Sequence, residues 1–405
     1  MNSIYFVLSK SIVMGLTFFI TSLIAKKYGV DEFGYYSYLK AIFGMIFVVS
    51  SLCNDPYLIS KLIDKKNDND IKILNLFRII LFTTLSLLTY FLYSENGYIF
   101  ISIYFLYFLQ LINFPIIIMN IKKMGFRVFK TVTLITILIS LFLLGSEYFF
   151  KIKNVYLYVL PLFYFLYLLF LFPNSNVGRL YSFNSVLNSS LYFRSKIIFK
   201  DIWPIFLASI LIYIYTRVDI FIINHVMNVK DVGIYSVAIQ LSEPFSFVVS
   251  AYAMSIISDL KKIESKIDRD SFLIKKLRMI HFYVVVIIIT FLFFGELFIS
   301  YLYGVEYISS YKVTVILLCS KIFTFSNLFF SIIMIVDNNI IPRLIRTVYA
   351  IIISVILNFI FIYNYGLMGA AFSTVISQFI SVSLLNYISK KTRDYSIIFI
   401  RSFTS

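Results

Sequence analysis

The sequence predicts an all-α polytopic membrane protein of about twelve transmembrane helices in two lobes. Three observations carry this. First, 60% of the 405 residues are hydrophobic, 14% are charged, and the mean hydropathy is +0.90. A soluble chain has roughly 45–50% apolar and about 25% charged residues. Second, the apolar runs are long enough for helices of about 20 residues to cross a hydrocarbon layer. They do not alternate over about ten residues, as barrel strands would. Third, Gly29-Val30-Asp31-Glu32-Phe33-Gly34-Tyr35-Tyr36-Ser37 is echoed by Asn228-Val229-Lys230-Asp231-Val232-Gly233-Ile234-Tyr235-Ser236, with an apolar span on either side of each copy. A repeat near half the chain length is the mark of a two-lobed transporter.

Spans are expected near residues 4–25, 36–58, 73–94, 98–120, 129–147 and 155–172, then 203–224, 233–258, 280–302, 313–335, 344–363 and 367–388. Lys10 interrupts the first span and no small-x-small site follows, so it is not read as a cleaved signal peptide. Residues 1–172 form the first lobe and 203–405 the second. The polar stretch 173–202 reads as a cytoplasmic linker between them, with Asn174-Ser175-Asn176 and Ser189-Ser190 inside it. The charged segment Asp259 to Arg278 reads as a short surface helix. The outer loops are all brief, which argues against a large external catalytic domain.

The net charge of +16 follows from topology rather than nucleic acid. With the N-terminus inside, 25 of the 36 Lys and Arg fall on inner segments and six on outer loops. That places both termini in the cytoplasm, and anionic lipids are the expected surface partners. Cys53 and Cys319 lie in apolar spans, and His225 and His281 are isolated. No disulfide framework, metal spacing, phosphate-cradling loop or catalytic constellation is present, so no enzyme and no cofactor are expected.

The informative residues are charges within spans, because each needs a protein partner or water. Arg217 and Asp219 lie two positions apart, so on one helix their side chains diverge and each seeks its own partner. Lys321 sits near the middle of its span. Glu243 precedes Pro244, which removes a backbone donor and suits a hinge or an ion-coupling site for H+ or Na+. Asp55, before Pro56, is nearer the inner face, and Glu296 is nearer the outer end of its span. Lys10, Lys40 and Arg78 lie one or two turns from an interface. The substrate-binding candidates are therefore Arg217, Lys321, Lys10 and Lys40. The coupling or hinge candidates are Glu243, Pro244, Asp219 and Asp55.

The chain resembles the Wzx-type O-antigen flippases of the polysaccharide transporter family, relatives of the MATE exporters and lipid II flippases in the MOP superfamily. Four stretches carry the resemblance: Gly29 to Ser37; Arg217-Val218-Asp219 through Gly233-Ile234-Tyr235-Ser236 to Glu243; Tyr303-Gly304-Val305-Glu306-Tyr307; and Asn358 with Tyr365-Gly366-Leu367-Met368-Gly369-Ala370-Ala371. It implies twelve helices in two six-helix lobes around a central cavity. It also implies a substrate of undecaprenyl diphosphate bearing an oligosaccharide repeat unit, carried from the inner to the outer leaflet by alternating access. Other polysaccharide assembly proteins are then expected partners. A MATE-like cation-coupled exporter is the rival reading, and a membrane polysaccharide polymerase a weaker one. An exporter of cationic drugs favours an acidic cavity, whereas here cations within spans slightly outnumber acids. A polymerase is expected to carry a large external loop.

Overall fold

A computed structural model describes residues 2–52, 68–93, 96–112, 125–149, 155–171, 191–337 and 339–404. Among the described residues there are helices and no strands. Eight of those helices are long and apolar enough to cross a membrane, and two shorter apolar ones, Gly97–Leu111 and Val155–Phe170, accompany them. The chain is thus a multi-pass, all-α membrane protein. Two of the eight are double spans. Helix α1 (Asn2–Ser51) bends at Gly29, whose φ of 79° leaves the helical region. The long helix Ile340–Val382 bends the same way at Gly366, φ 57°. Each merged pair covers two of the spans expected from sequence.

The remaining helices are α2 (Asp68–Leu92), α3 (Gly97–Leu111), α4 (Gly125–Phe149), α5 (Val155–Leu171), α6 (Leu191–Val226), α7 (Val229–Ser242) and α8 (Phe245–Ser255). They are followed by α9 (Lys266–Leu302), α10 (Ser310–Val336), α11 (Ile340–Val382), the short α12 (Leu384–Ile388) and α13 (Arg393–Thr404). The charged stretch before residue 280 differs from expectation. It is one helical turn at Ile257–Leu260 and then the first turns of α9, continuous with the span that follows. Of the linker expected at 173–202, residues 173–190 lie outside the described residues and 191–202 are instead the first turns of α6.

The helices pack into two compact units. One comprises Met1–Lys27 and Leu39–Tyr213. In it α5 packs on α3 and α4, and Phe43 meets the rings of Phe82, Phe100 and Tyr107. The other comprises Tyr28–Tyr38 and Ile214–Ser405. Its hub is α10, which packs on α7, α8, α9 and α11. Phe325, Phe329, Phe330, Ile333 and Met334 of α10 are fully buried against Leu273, Leu277 and Ile280 of α9 and Ile398 and Phe399 of α13.

The two copies of the repeat meet inside this second unit. Gly34 and Gly233 occupy equivalent positions. A β-carbon on Gly34 would stand 1.9 Å from the Val229 carbonyl oxygen, and one on Gly233 would stand 2.5 Å from that of Val30. The two backbones therefore touch where no side chain fits, which explains both glycines. Asn228 begins α7 as a cap, its side-chain oxygen accepting from the Asp231 amide at 2.9 Å.

Candidate functional site

The second unit gathers four of the charges singled out in its spans. Arg217 and Asp219 stand on α6, and Lys321 is the twelfth of 27 residues in α10. Glu243 falls between α7 and α8, where Pro244 interrupts what would otherwise be one helix. The ring has no amide hydrogen to donate, so the α-helical ladder stops there. The Ser246 amide instead turns back to the Glu243 carbonyl at 3.0 Å, and the Ser246 hydroxyl donates to the same oxygen at 2.7 Å. The break holds the Glu243 carboxylate in place facing α6.

Arg217 answers it as a fork. Its Nη1 lies 3.2 Å from Glu243 Oε1 and its Nη2 3.3 Å from Oε2, with the two side chains 27% and 46% exposed. Two parallel bonds fix the relative orientation as well as the distance. Asp219 turns elsewhere, as the two-residue spacing requires. Its Oδ2 accepts from the Tyr235 hydroxyl at 2.7 Å and its Oδ1 from the Ile220 amide at 2.9 Å. The sequence led us to expect a cation from another helix beside Asp219. The structure places a neutral phenol there, on α7, and hydrogen bonding takes over the task of satisfying the carboxylate. Half-buried Lys321 lies within electrostatic reach of Glu243, Asp219 and Arg217. The quartet holds two cations and two acids, so its formal charge is zero.

Lys10 and Lys40 belong to the first unit. Lys10 is exposed and Lys40 half-buried, and the Lys40 carbonyl accepts from the Tyr107 hydroxyl at 3.1 Å. Arg78, in the same unit, is buried, and Glu296 is exposed. Asp55 lies outside the described residues.

Several polar side chains that sequence reasoning passed over are buried in the second unit. Arg346, 6% exposed, donates to Asn386 Oδ1 at 3.2 Å, and Arg343 donates to Ser331 Oγ at 2.6 Å. Asn358 accepts from Ser373 and donates to Ser354, tying together the two halves of α11 on either side of Gly366. Asp337, at the end of α10, is gripped by Arg269 and by the Tyr395 hydroxyl of α13. Burial, and then that carboxylate, push the Tyr395 hydroxyl up, so it remains a donor at neutral pH. His281 shares a 3.0 Å bond with Ser326 and stacks on Phe403. Among the described residues no group of three or more His, Cys, Asp and Glu is placed to hold a metal ion.

The fold is that of a class of membrane transporters. No protein-family profile matches the chain, and no curated protein matches it significantly. Solved structures do. The lipid II flippase MurJ, in an inward closed conformation, superposes with a TM-score of 0.71 at 20% identity, covering 99% of this chain and 91% of that one. A multidrug resistance MATE family transporter of the MOP superfamily superposes in its inward-facing form with a TM-score of 0.59 at 15% identity, over 100% of this chain and 94% of that one. Its outward-facing counterpart gives 0.60 at 14%, over 99% and 93%. At these identities the likeness establishes the fold.

Proposed function

We propose that the protein is a flippase for a lipid-linked oligosaccharide. It carries undecaprenyl diphosphate bearing an O-antigen or capsule repeat unit from the inner to the outer leaflet by alternating access. The observation that supports this best is the placing of Arg217 and Lys321, two half-buried cations inside apolar spans, on a fold shared with a lipid flippase. A lipid diphosphate must leave the head-group layer to cross, and cations in its path lower that cost. The orientation follows the basic residues, with both termini in the cytoplasm of the inner membrane.

In this reading Glu243 stands in for the substrate at rest. Its carboxylate occupies the guanidinium fork that a phosphate would take. Arrival of the anion breaks the pair and frees Arg217 and Lys321. Pro244 supplies the break in the helix at which α8 can move relative to α7. Asp219, fixed by Tyr235, holds α6 and α7 together during the change.

A MATE-like coupled exporter remains the second reading, favoured by the same fold and by an acid–cation pair at a helix break. The experiment that separates them is deletion of the protein with scoring of lipid-linked repeat units held on the inner leaflet, followed by complementation with Lys321→Ala. The flippase reading expects accumulation, and expects the Ala variant to insert normally without relieving it. Absence of accumulation in the deletion strain refutes this reading.

A further inference from the structure

Outside the quartet, the second unit holds a buried cation, Arg346, with no ion pair among the described residues. Arg343 and Arg346 lie on one face of α11, three residues apart, in its first two turns. Arg346 is 6% exposed, its Nε has no hydrogen-bond partner, and it makes no ion pair among the described residues. Its charged neighbour is another cation, Arg343, and the Tyr215 and Tyr395 phenols are the other titratable groups that face it. The acid that closes the preceding helix, Asp337, is already held by Arg269 and Tyr395. Desolvating two guanidinium groups beside one another is unfavourable without an anion, and no acid among the described residues forms an ion pair with either.

We propose that Arg343 and Arg346 form a docking subsite for the diphosphate of a lipid-borne substrate. This rests on the flippase reading. Both residues lie within about 10 Å of the α11 terminus at 1.5 Å per residue, whereas Lys321 is at mid-helix. Two planar forks suit two phosphates. Asn386 and Ser331, which now take the forks, are neutral and yield to a charged acceptor. The same phosphate chemistry could come from a bilayer phospholipid, and the titrations below separate the two sources.

The test uses the full chain in phosphatidylcholine nanodiscs. Farnesyl diphosphate, farnesyl monophosphate and phosphatidylglycerol are titrated separately, and binding is read by ligand-induced thermal stabilisation. The wild type is expected to prefer the diphosphate. Arg346→Met and Arg343→Gln are each expected to weaken it at least tenfold, and Arg346→Lys less. Without ligand, Arg346→Met is expected to melt no lower than the wild type, since it removes an unmatched buried charge. Should the Met variant fail to fold, the Lys and Gln variants carry the comparison. Unchanged diphosphate binding in Arg346→Met and Arg343→Gln overturns this subsite and leaves the flippase reading standing. Equal affinity for phosphatidylglycerol makes it a bilayer-lipid site and overturns the assignment. A wild type that binds no diphosphate sinks both.

Discussion

Neutralising one member of the Arg217–Glu243 pair at a time tests how the quartet is balanced. At about 4 Å two unit charges interact by about 4 kcal/mol at an effective dielectric of 20, and by about 1 kcal/mol in water. With Arg217 27% and Glu243 46% exposed, the pair lies toward the wet end, and solvent screening brings the expected coupling to about 1–2 kcal/mol. The two single variants are not equivalent. Arg217→Gln leaves Glu243, the more exposed partner, still beside Lys321. Glu243→Gln takes the forked acceptor away from Arg217, the less exposed partner, and leaves it near a second cation. The expected costs are about 1 kcal/mol for Arg217→Gln and about 2 kcal/mol for Glu243→Gln. The double variant also removes that guanidinium, so it should melt above Glu243→Gln alone. The assay is the monodisperse fraction that survives heating in detergent, compared across the four proteins of the cycle. A double variant that melts below both singles, or Arg217→Gln as the more damaging change, would refute the balance described here.

Two further outcomes are expected. Gly34→Ala and Gly233→Ala should each destabilise by about 1–3 kcal/mol through overpacking against backbone. Gly34→Ala should be the worse, because its methyl meets a carbonyl oxygen at 1.9 Å rather than 2.5 Å; wild-type heat resistance of Gly34→Ala would remove the close-contact explanation. In a background lacking Cys53 and Cys319, Asn96→Cys should react with a membrane-impermeant maleimide in intact cells, and Glu264→Cys only after permeabilisation. External labelling at position 264 would reverse the orientation.

What the sequence disclosed was set by range. Span lengths and the absence of strands follow from local hydropathy, so the all-α membrane architecture was legible. The repeat was visible as letters, but its cause was not. That Gly34 faces Gly233 is a contact between segments 199 residues apart. The bends at Gly29 and Gly366 had a signal that went unused. The described glycines with positive φ, Gly29, Gly304 and Gly366, each follow a tyrosine and precede Val or Leu. Helix α13 escaped because it is amphipathic rather than apolar. Tyr395, Ile398, Phe399 and Ser402 line its buried face at helical spacing, and no hydropathy window for spans detects that. Divergence of Arg217 from Asp219 followed from helix geometry alone. The identity of their partners, Glu243 and Tyr235, depends on how α6 meets α7, and no local pattern encodes it. Arg343 and Arg346 look from sequence like ordinary charges at an inner span end. Only tertiary packing, with Asn386 and Tyr215 beside it, makes Arg346 a buried cation.

The division of charge in the second unit bears on release as much as on binding. On the flippase reading, two bare cations at mid-helix would hold a diphosphate through the whole cycle, and transport would stall on the occupied state. An acid that competes for the same fork prevents that. If Glu243 is worth about 1–2 kcal/mol to Arg217, it weakens the substrate's hold by roughly five- to thirty-fold. Lys321 shares the same acid, so the competition reaches both cations. On the same reading, Arg343 and Arg346 at the start of α11 have no acid competitor among the described residues, which favours capture over release. Capture where charge is unmatched and passage where it is matched give a direction to the path. Glu243→Gln should therefore tighten diphosphate binding in nanodiscs while slowing export, an opposite pair of effects that a purely structural role for Glu243 would not produce.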